Sequence, residues 1–317
     1  MSKYAADPET VRAAHQRIQP HINRTPVLTS HLLDGIASRQ LFFKCENFQR
    51  GGAFKMRGAT NAVLALPDAK AKSGVATHSS GNFAQALALA GRVRGIPVHV
   101  VMPTTAPAVK REATLYYGAR IYDCEPTLAA REERAARVVA ETGTTLLHSF
   151  NHPDVIAGQG TVALELLEEI PDLDAIVASV GGGGLMSGIC VAARGVRGGI
   201  RLIGAEPHGA DDAYRSLAAG RLIPQTNPDT IADGLLTSLG ELTWPILRDH
   251  LERIVRVTED EIRTALHLVL TRMKIVIEPS AAVALAAVLS KEFQALSDVR
   301  RIGIVLSGGN LDCSSMA

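Results

Sequence analysis

Asp174–Arg194 reads DAIVASVGGGGLMSGICVAAR, and four consecutive glycines, Gly181–Gly184, divide it. The apolar run from Ala175 to Val180 passes from alternating to continuous, the pattern of a buried strand. The apolar segment from Leu185 to Ala193 reads as the start of a helix. Four residues without a Cβ at that junction let successive backbone N–H groups close on an anion at a helix N-terminus. Phosphate is the natural occupant. No Gly-Lys-Ser/Thr follows, so the run is not a nucleotide P-loop, and Gly-Gly-Gly-Gly-Leu-Met is a poor match to Gly-x-Gly-x-x-Gly. Apolar flanks on both sides also set it apart from a flexible linker.

Working outward, short apolar runs alternate with helical patterns almost throughout. Gln40–Cys45, Gly74–Thr77, Pro97–Met102, Arg120–Tyr122, Thr145–His148, Asp174–Val180, Ile200–Ala205, Arg253–Val257 and Arg301–Leu306 are expected strands. Asn82–Arg94, Val109–Tyr117, Leu128–Glu141 and Val155–Glu169 are expected helices, and a capping box at Thr258-Glu259-Asp260-Glu261 opens another over Asp260–Met273. This rhythm is α/β with mostly parallel sheets. Ligands in such folds sit beyond the carboxyl ends of strands. The glycine run, Ser79-Ser80-Gly81-Asn82 and Ser307-Gly308-Gly309-Asn310 all occupy that position, which suggests one shared site.

The 317 residues are 46% hydrophobic and 21% charged, with a net charge of +1, as in an ordinary globular protein. Balanced charge argues against an electrostatic grip on nucleic acid or on an anionic membrane. No apolar run reaches the length of a membrane span, and the polar N-terminus lacks a signal-peptide core. Cys45, Cys124, Cys190 and Cys313 are scattered, without metal or disulfide spacing. A cytoplasmic location is expected.

Lys55 stands in Gln49-Arg50-Gly51-Gly52-Ala53-Phe54-Lys55-Met56-Arg57-Gly58, after a strand and at a helix start. The helix dipole disfavours a cation there and lowers the pKa of the amine, which suits a lysine that must form a Schiff base. Alone it would read as a surface lysine. Beside a phosphate-binding loop the covalent role is the better reading.

KCENFQRGGAFKMRGA, HSSGNFAQALALA, VIAGQGT, SVGGGGLMSGI, IEPSAA and LSGGNLD occur in the order found in pyridoxal-phosphate enzymes of the threonine dehydratase and serine racemase family, which this chain resembles from about Thr25 to Asp312. The resemblance implies fold type II, two open, twisted, mostly parallel sheets flanked by helices, similar in architecture to the tryptophan synthase β subunit. By it, Lys55 matches the lysine that carries pyridoxal 5'-phosphate, and Gly181, Gly182, Gly183 and Gly184 match the phosphate cradle. Asn82 matches the partner of the cofactor's phenolic oxygen, Ser307 the partner of its pyridine nitrogen, and Phe54 would pack against the ring. Ser79, Ser80, Gly81, Asn82 and Phe83 fall where the family binds its small-molecule amino acid substrate.

A neutral serine at the pyridine nitrogen leaves that nitrogen unprotonated and weakens the electron sink, which suits loss of a β-substituent over transamination. The implied reaction is β-elimination from a β-hydroxy amino acid such as threonine or serine. Freed Lys55 removes the α-proton, the β-hydroxyl leaves with help from the phosphate, and a 2-oxo acid and ammonia are released. Ser80 matches the serine that in serine racemase delivers a proton to the opposite face, so an amino acid racemase with dehydratase side activity is the alternative. A nicotinamide-dependent oxidoreductase is a remote third, because it gives Lys55 no task.

Glu206-Pro207-His208-Gly209-Ala210-Asp211-Asp212 matches the divalent-cation site of the serine racemase type. Glu206, the Ala210 carbonyl and Asp212 would be hard oxygen ligands for Mg²⁺ or Ca²⁺. Two departures from the family stand out. Phe83 replaces a usual histidine and Ala53 a usual serine, which makes the pocket more apolar and suggests a bulkier β-substituent, as in 3-phenylserine. His78 and His148 are possible supporting groups at strand ends, and Trp244 is expected to pack in a core. The family inclines towards a homodimer, with residues 72–150 a small domain inserted into a large one of residues 1–71 and 151–317.

Overall fold

The computed structural model describes residues 3–106 and 108–311; Asp312 and Cys313 lie outside the described residues. The strands are β1 Val27–Leu28, β2 Gln40–Cys45, β3 Val75–His78, β4 Val98–Pro103, β5 Arg120–Cys124, β6 Thr145–Leu146, β7 Ala175–Ser179, β8 Arg201–Pro207, β9 Arg253–Val257 and β10 Arg301–Leu306. They form a six-stranded sheet of order β1-β2-β10-β7-β8-β9 and a four-stranded sheet of order β5-β4-β3-β6. Every pairing is parallel except β1 with β2.

Period-two alternation explains why the glycine-run strand reads as continuously apolar. Ala175 and Val177 of β7 enter the core shared with the helix Pro279–Leu289, whereas Ile176 and Ala178 enter the core shared with the helices Pro153–Glu169 and Gly184–Val196. Both faces of the sheet are covered, so neither parity is polar. Each fully buried Leu, Ile or Val there contributes about 1.5–3 kcal/mol, which keeps the strand ends fixed in space.

The helix Lys55–Ala65 packs against Asn82–Arg94, with Met56, Ala59, Phe83 and Leu87 in one core with Val155. Beneath it lies a fully buried ion cluster. Arg57 donates to Glu46 (2.8 Å from Nε) and to Glu165 (2.7 Å from Nη1), and Lys44 donates to Glu165 at 2.7 Å. Charges so buried are tolerated only when every one is paired, so the cluster fixes the pitch of the helix that Lys55 opens.

Some boundaries differ from expectation for identifiable reasons. β1 is two residues long, too short for any pattern to show. The expected strand Thr145–His148 ends at Leu146, because His148 leaves the ladder and its Nδ1 accepts the N–H of Phe150 (3.4 Å) and Asn151 (3.1 Å). The expected helix Asp260–Met273 is α-helical over Glu259–Leu268, widens into a π-turn at Val269–Met273, and stops at Lys274 with φ 62°. The capping box forms as read: Glu261 N–H donates to Thr258 Oγ1, and Thr258 N–H donates to Glu261.

Candidate active site

β10 and the Lys55 segment are zipped together. Phe54 N–H donates to the Ser307 carbonyl (3.0 Å) and Gly309 N–H to the Gly52 carbonyl (2.8 Å), so Lys55 stands beside the end of β10. The Lys55 ammonium donates to the Ser149 carbonyl at 3.0 Å and lies 5.1 Å and 5.8 Å from the ring centroids of Phe54 and Phe83. Burial brings its pKa down to about 8, against the opposing pull of the Glu278 carboxylate. The expected direction holds, with desolvation rather than the helix dipole as the leading cause.

The glycine run leaves β7 and becomes the N-terminus of the helix Gly184–Val196, with Gly183 as N-cap at φ 84°, a left-handed conformation that favours glycine. A Cβ on Gly182 would stand 2.3 Å from the Phe150 ring, so that phenylalanine walls the loop from behind. Thr243 Oγ–H donates to the Gly182 carbonyl at 2.9 Å and holds the loop's shape. Among the described residues nothing accepts the N–H groups of Gly181, Gly182 or Gly183. Free donors at a helix N-terminus, on backbone too tight for side chains, fit a phosphate.

Ser307 is buried just after β10, and its carbonyl accepts Phe54 N–H. Ser79, Ser80, Gly81 and Asn82 are half-buried between β3 and the helix Asn82–Arg94, and Gly81 N–H donates to Ser79 Oγ at 3.4 Å. The site therefore draws on the loops after β3, β7 and β10, as the strand-end pattern implies.

Phe83 lies beside Lys55. It is 2% exposed and belongs to the core between its own helix and the Lys55 helix, with its ring turned to the lysine. Ala53 is likewise buried, and it bridges Gly308. Both apolar exchanges lie in the packing around Lys55.

Glu206, next to last in β8, is buried and accepts the N–H of Ala213 (3.1 Å) and Tyr214 (2.8 Å). Asp212 opens the helix Asp212–Ala219. Its Oδ2 accepts Leu239 N–H at 2.8 Å, and its buried Oδ1 has no partner. Burial and the Asp212 charge hold Glu206 well above the usual carboxylate range, and burial lifts Asp212 to about 6. Among the described residues no cluster of three or more His, Cys, Asp or Glu side chains could hold a metal. Two raised carboxylates, one with an orphaned oxygen, are nevertheless donors of the kind a hard cation takes.

Several site residues carried no expected role. Glu278, the N-cap of the helix Pro279–Leu289, is buried and accepts Asn82 Nδ2 on both oxygens (2.8 and 3.0 Å). Asn310 Nδ2 donates to Asn82 Oδ1 at 3.0 Å and to the Gly51 carbonyl at 2.8 Å. Phe150 and Thr243 shape the glycine loop. His148 rings stack edge-on with His78 (5.7 Å) and Phe150 (4.4 Å), and burial holds His148 down at about 4, so it stays neutral. The signal for Glu278 was present: an acid directly before Pro279 at a helix start, inside a motif that carried the resemblance. Trp244 packs in the core as expected.

A buried lysine and a glycine loop with free N–H donors, both at the carboxyl ends of parallel strands, have the layout of a cofactor-dependent enzyme of the pyridoxal-phosphate class. The chain belongs to that family: residues 18–308 match the family described as pyridoxal-phosphate dependent enzyme. Within it the chain is similar to the serine racemase of Arabidopsis thaliana, at 51% identity over 99% of this chain and 96% of that protein. It is 50% identical to the β-hydroxyaspartate dehydratase of Paracoccus denitrificans (strain Pd 1222), over 97% of each chain. Among solved structures, maize serine racemase superposes with a TM-score of 0.98 at 46% identity, over 99% of this chain and 96% of that one.

Proposed function

We propose that the protein interconverts the enantiomers of serine or a close β-hydroxy amino acid and, at the same site, eliminates water from it to give a 2-oxo acid and ammonia. The sequence alone put elimination first. The serine racemases among the relatives favour racemisation as the principal activity, and the dehydratase relative supports elimination as the second. The single observation that carries the reading is the near-complete superposition on maize serine racemase.

Lys55 would hold pyridoxal phosphate covalently and the N–H groups of Gly181–Gly184 its phosphate, and the group would supply an electron sink for the α-carbon. Lys55 acts as base on one face of that carbon. Its depressed pKa leaves a usable fraction of free amine near neutrality. Ser80 gives or takes the proton on the other face. Ser79, Gly81 and Asn82 hold the substrate carboxylate through hydroxyl and amide donors. Ser307 offers the ring nitrogen a neutral hydroxyl, which moderates the sink and keeps transamination low. Glu206, Asp212 and the Ala210 carbonyl would hold Mg²⁺ or Ca²⁺, in a structural or activating role.

Loading the protein with pyridoxal phosphate and supplying L-serine, L-threonine, 3-hydroxyaspartate or 3-phenylserine separates the activities. Chiral chromatography follows configuration and a 2-oxo acid assay follows elimination. D-serine is expected from L-serine, and Ser80→Ala should lose racemisation by about a hundredfold or more, the usual worth of a positioned acid–base group, while elimination from L-serine persists. Oxo acid without any D-serine would leave dehydration as the activity. No turnover of any of the four would end the reading.

A further inference from the structure

We propose that Glu278 is a positioning residue that, with Asn310, decides which end of the Asn82 amide faces the cofactor. The inference rests on pyridoxal phosphate occupying the Lys55 cleft and concerns how this chain tunes it.

An asparagine amide has an acceptor end and a donor end of nearly the same shape, so only its partners tell them apart. Here they do so from both sides. The Asn310 NH₂ group can only donate, and because it also donates to the Gly51 carbonyl its own orientation is fixed; the atom of Asn82 that it meets must be Oδ1. Glu278 presents carboxylate oxygens at 2.8 and 3.0 Å from the other end, which must be the NH₂ group. Glu278 is anchored in turn. Its N–H donates to the Gly308 carbonyl at 3.0 Å, and a Cβ on Gly308 would stand 2.6 Å from its Oε1. The carboxyl thus touches Asn82, at the phenolic edge of the expected cofactor, and the Ser307-Gly308 turn at its pyridine edge.

A carboxyl this buried is costly unless hydrogen-bonded. Burial raises it to about 7, opposed by the Asn82 hydrogen bond and reinforced by the Asp233 carboxylate, with Lys110 and Lys55 as the nearby cations. The chain tolerates that cost where the carboxyl keeps the Asn82 NH₂ turned towards the phenolic oxygen. An N–H there stabilises the ionised oxygen. A flipped amide would offer Oδ1 instead and draw the proton onto the phenol.

The two protonation states of the lysine-bound cofactor absorb at different wavelengths, the ionised one in the visible and the phenolic one in the near ultraviolet. Glu278→Gln can present a donor as well as an acceptor, so it removes one of the two constraints on the Asn82 amide, with Asn310 left as the other, and makes the flip easier. The expected result is a change of about tenfold or more in the ratio of the two bands towards the near ultraviolet, the worth of one hydrogen bond to a charged group. Folding is checked by circular dichroism and cofactor content by release in alkali. Asn310→Leu, which frees Oδ1 but keeps Glu278, should give a smaller change in the same direction. It decides the matter alone if Glu278→Gln does not fold. Wild-type band ratios in the folded, fully loaded variants would overturn the proposal. A wild-type protein with no cofactor band at all would instead defeat the assignment of the cleft.

Discussion

Lys55 faces two requirements that pull in opposite directions: it must be a free amine to capture the cofactor, yet it lies near the Glu278 carboxylate, which favours the ammonium. Burial wins and sets the pKa at about 8. At pH 7 about one lysine in ten is then unprotonated, against about one in three thousand for an ordinary lysine. Because the folded-state value is lowered, the reactive amine is gained as pH rises and is complete above about 8. The rate at which the apoprotein captures pyridoxal phosphate should therefore climb about tenfold per pH unit below 8 and level off above it. Stopped-flow absorbance checks this, and a rate still climbing at pH 10 would mean an unperturbed lysine. Lys55, the glycine run, Asn82 and Ser307 could all be found in the sequence because each sits in a short local motif. Glu278 and Asn310 could be quoted but not interpreted. They meet Asn82 across 196 and 228 positions of chain, and no local pattern encodes that contact.

At the scale of elements, the segment Leu239–Thr243 connects two sites that the sequence treated as separate. Leu239 N–H binds Asp212 of the candidate cation site, while Gly240 N–H binds Thr243 Oγ, which donates to the Gly182 carbonyl of the phosphate cradle. We propose that a cation ordering Asp212 would, through this path, also order the glycine loop. Removing Mg²⁺ or Ca²⁺ with a chelator should weaken pyridoxal phosphate binding by about fivefold or more, and by reciprocity the cofactor should tighten the cation equally. Thr243→Val cuts the last link. In that variant the cation should still raise the melting temperature but no longer change cofactor affinity, a pair of results that fluorescence titration and thermal melts can separate. Equal coupling in both proteins would rule this connection out. Strand and helix positions were legible here, since periodicity is local. The segment itself was not, because Leu239–Thr243 has no regular pattern and gains its meaning from what it touches.

Across the whole molecule, the buried cluster of Lys44, Glu46, Arg57 and Glu165 ties β2 and the Lys55 helix to the helix Pro153–Glu169. Arg57→Met would leave Glu46 without a cation and Glu165 with Lys44 alone, and should cost about 3–5 kcal/mol in denaturant unfolding, whereas a loss under about 1 kcal/mol would show the cluster to be incidental. All four strands of the second sheet lie between Val75 and Leu146. We propose that residues 72–150 move as a body over the cleft, with the ion pair between Lys110 and Asp233 spanning it. The core of Met56, Phe83 and Val155 crosses the proposed boundary and would limit such motion to a hinge. The α/β architecture followed from the alternation of apolar runs with helices. How the Lys55 helix shares a core with the second sheet did not, because that packing depends on side chains far apart in sequence. The account as a whole turns on protonation at both faces of one α-carbon, and a single measurement reads it: L-serine incubated with the loaded enzyme in deuterium oxide, followed by chiral chromatography with mass detection. The account predicts D-serine carrying one deuterium at the α-carbon. Serine recovered wholly in the L-configuration, while oxo acid accumulates, would contradict it.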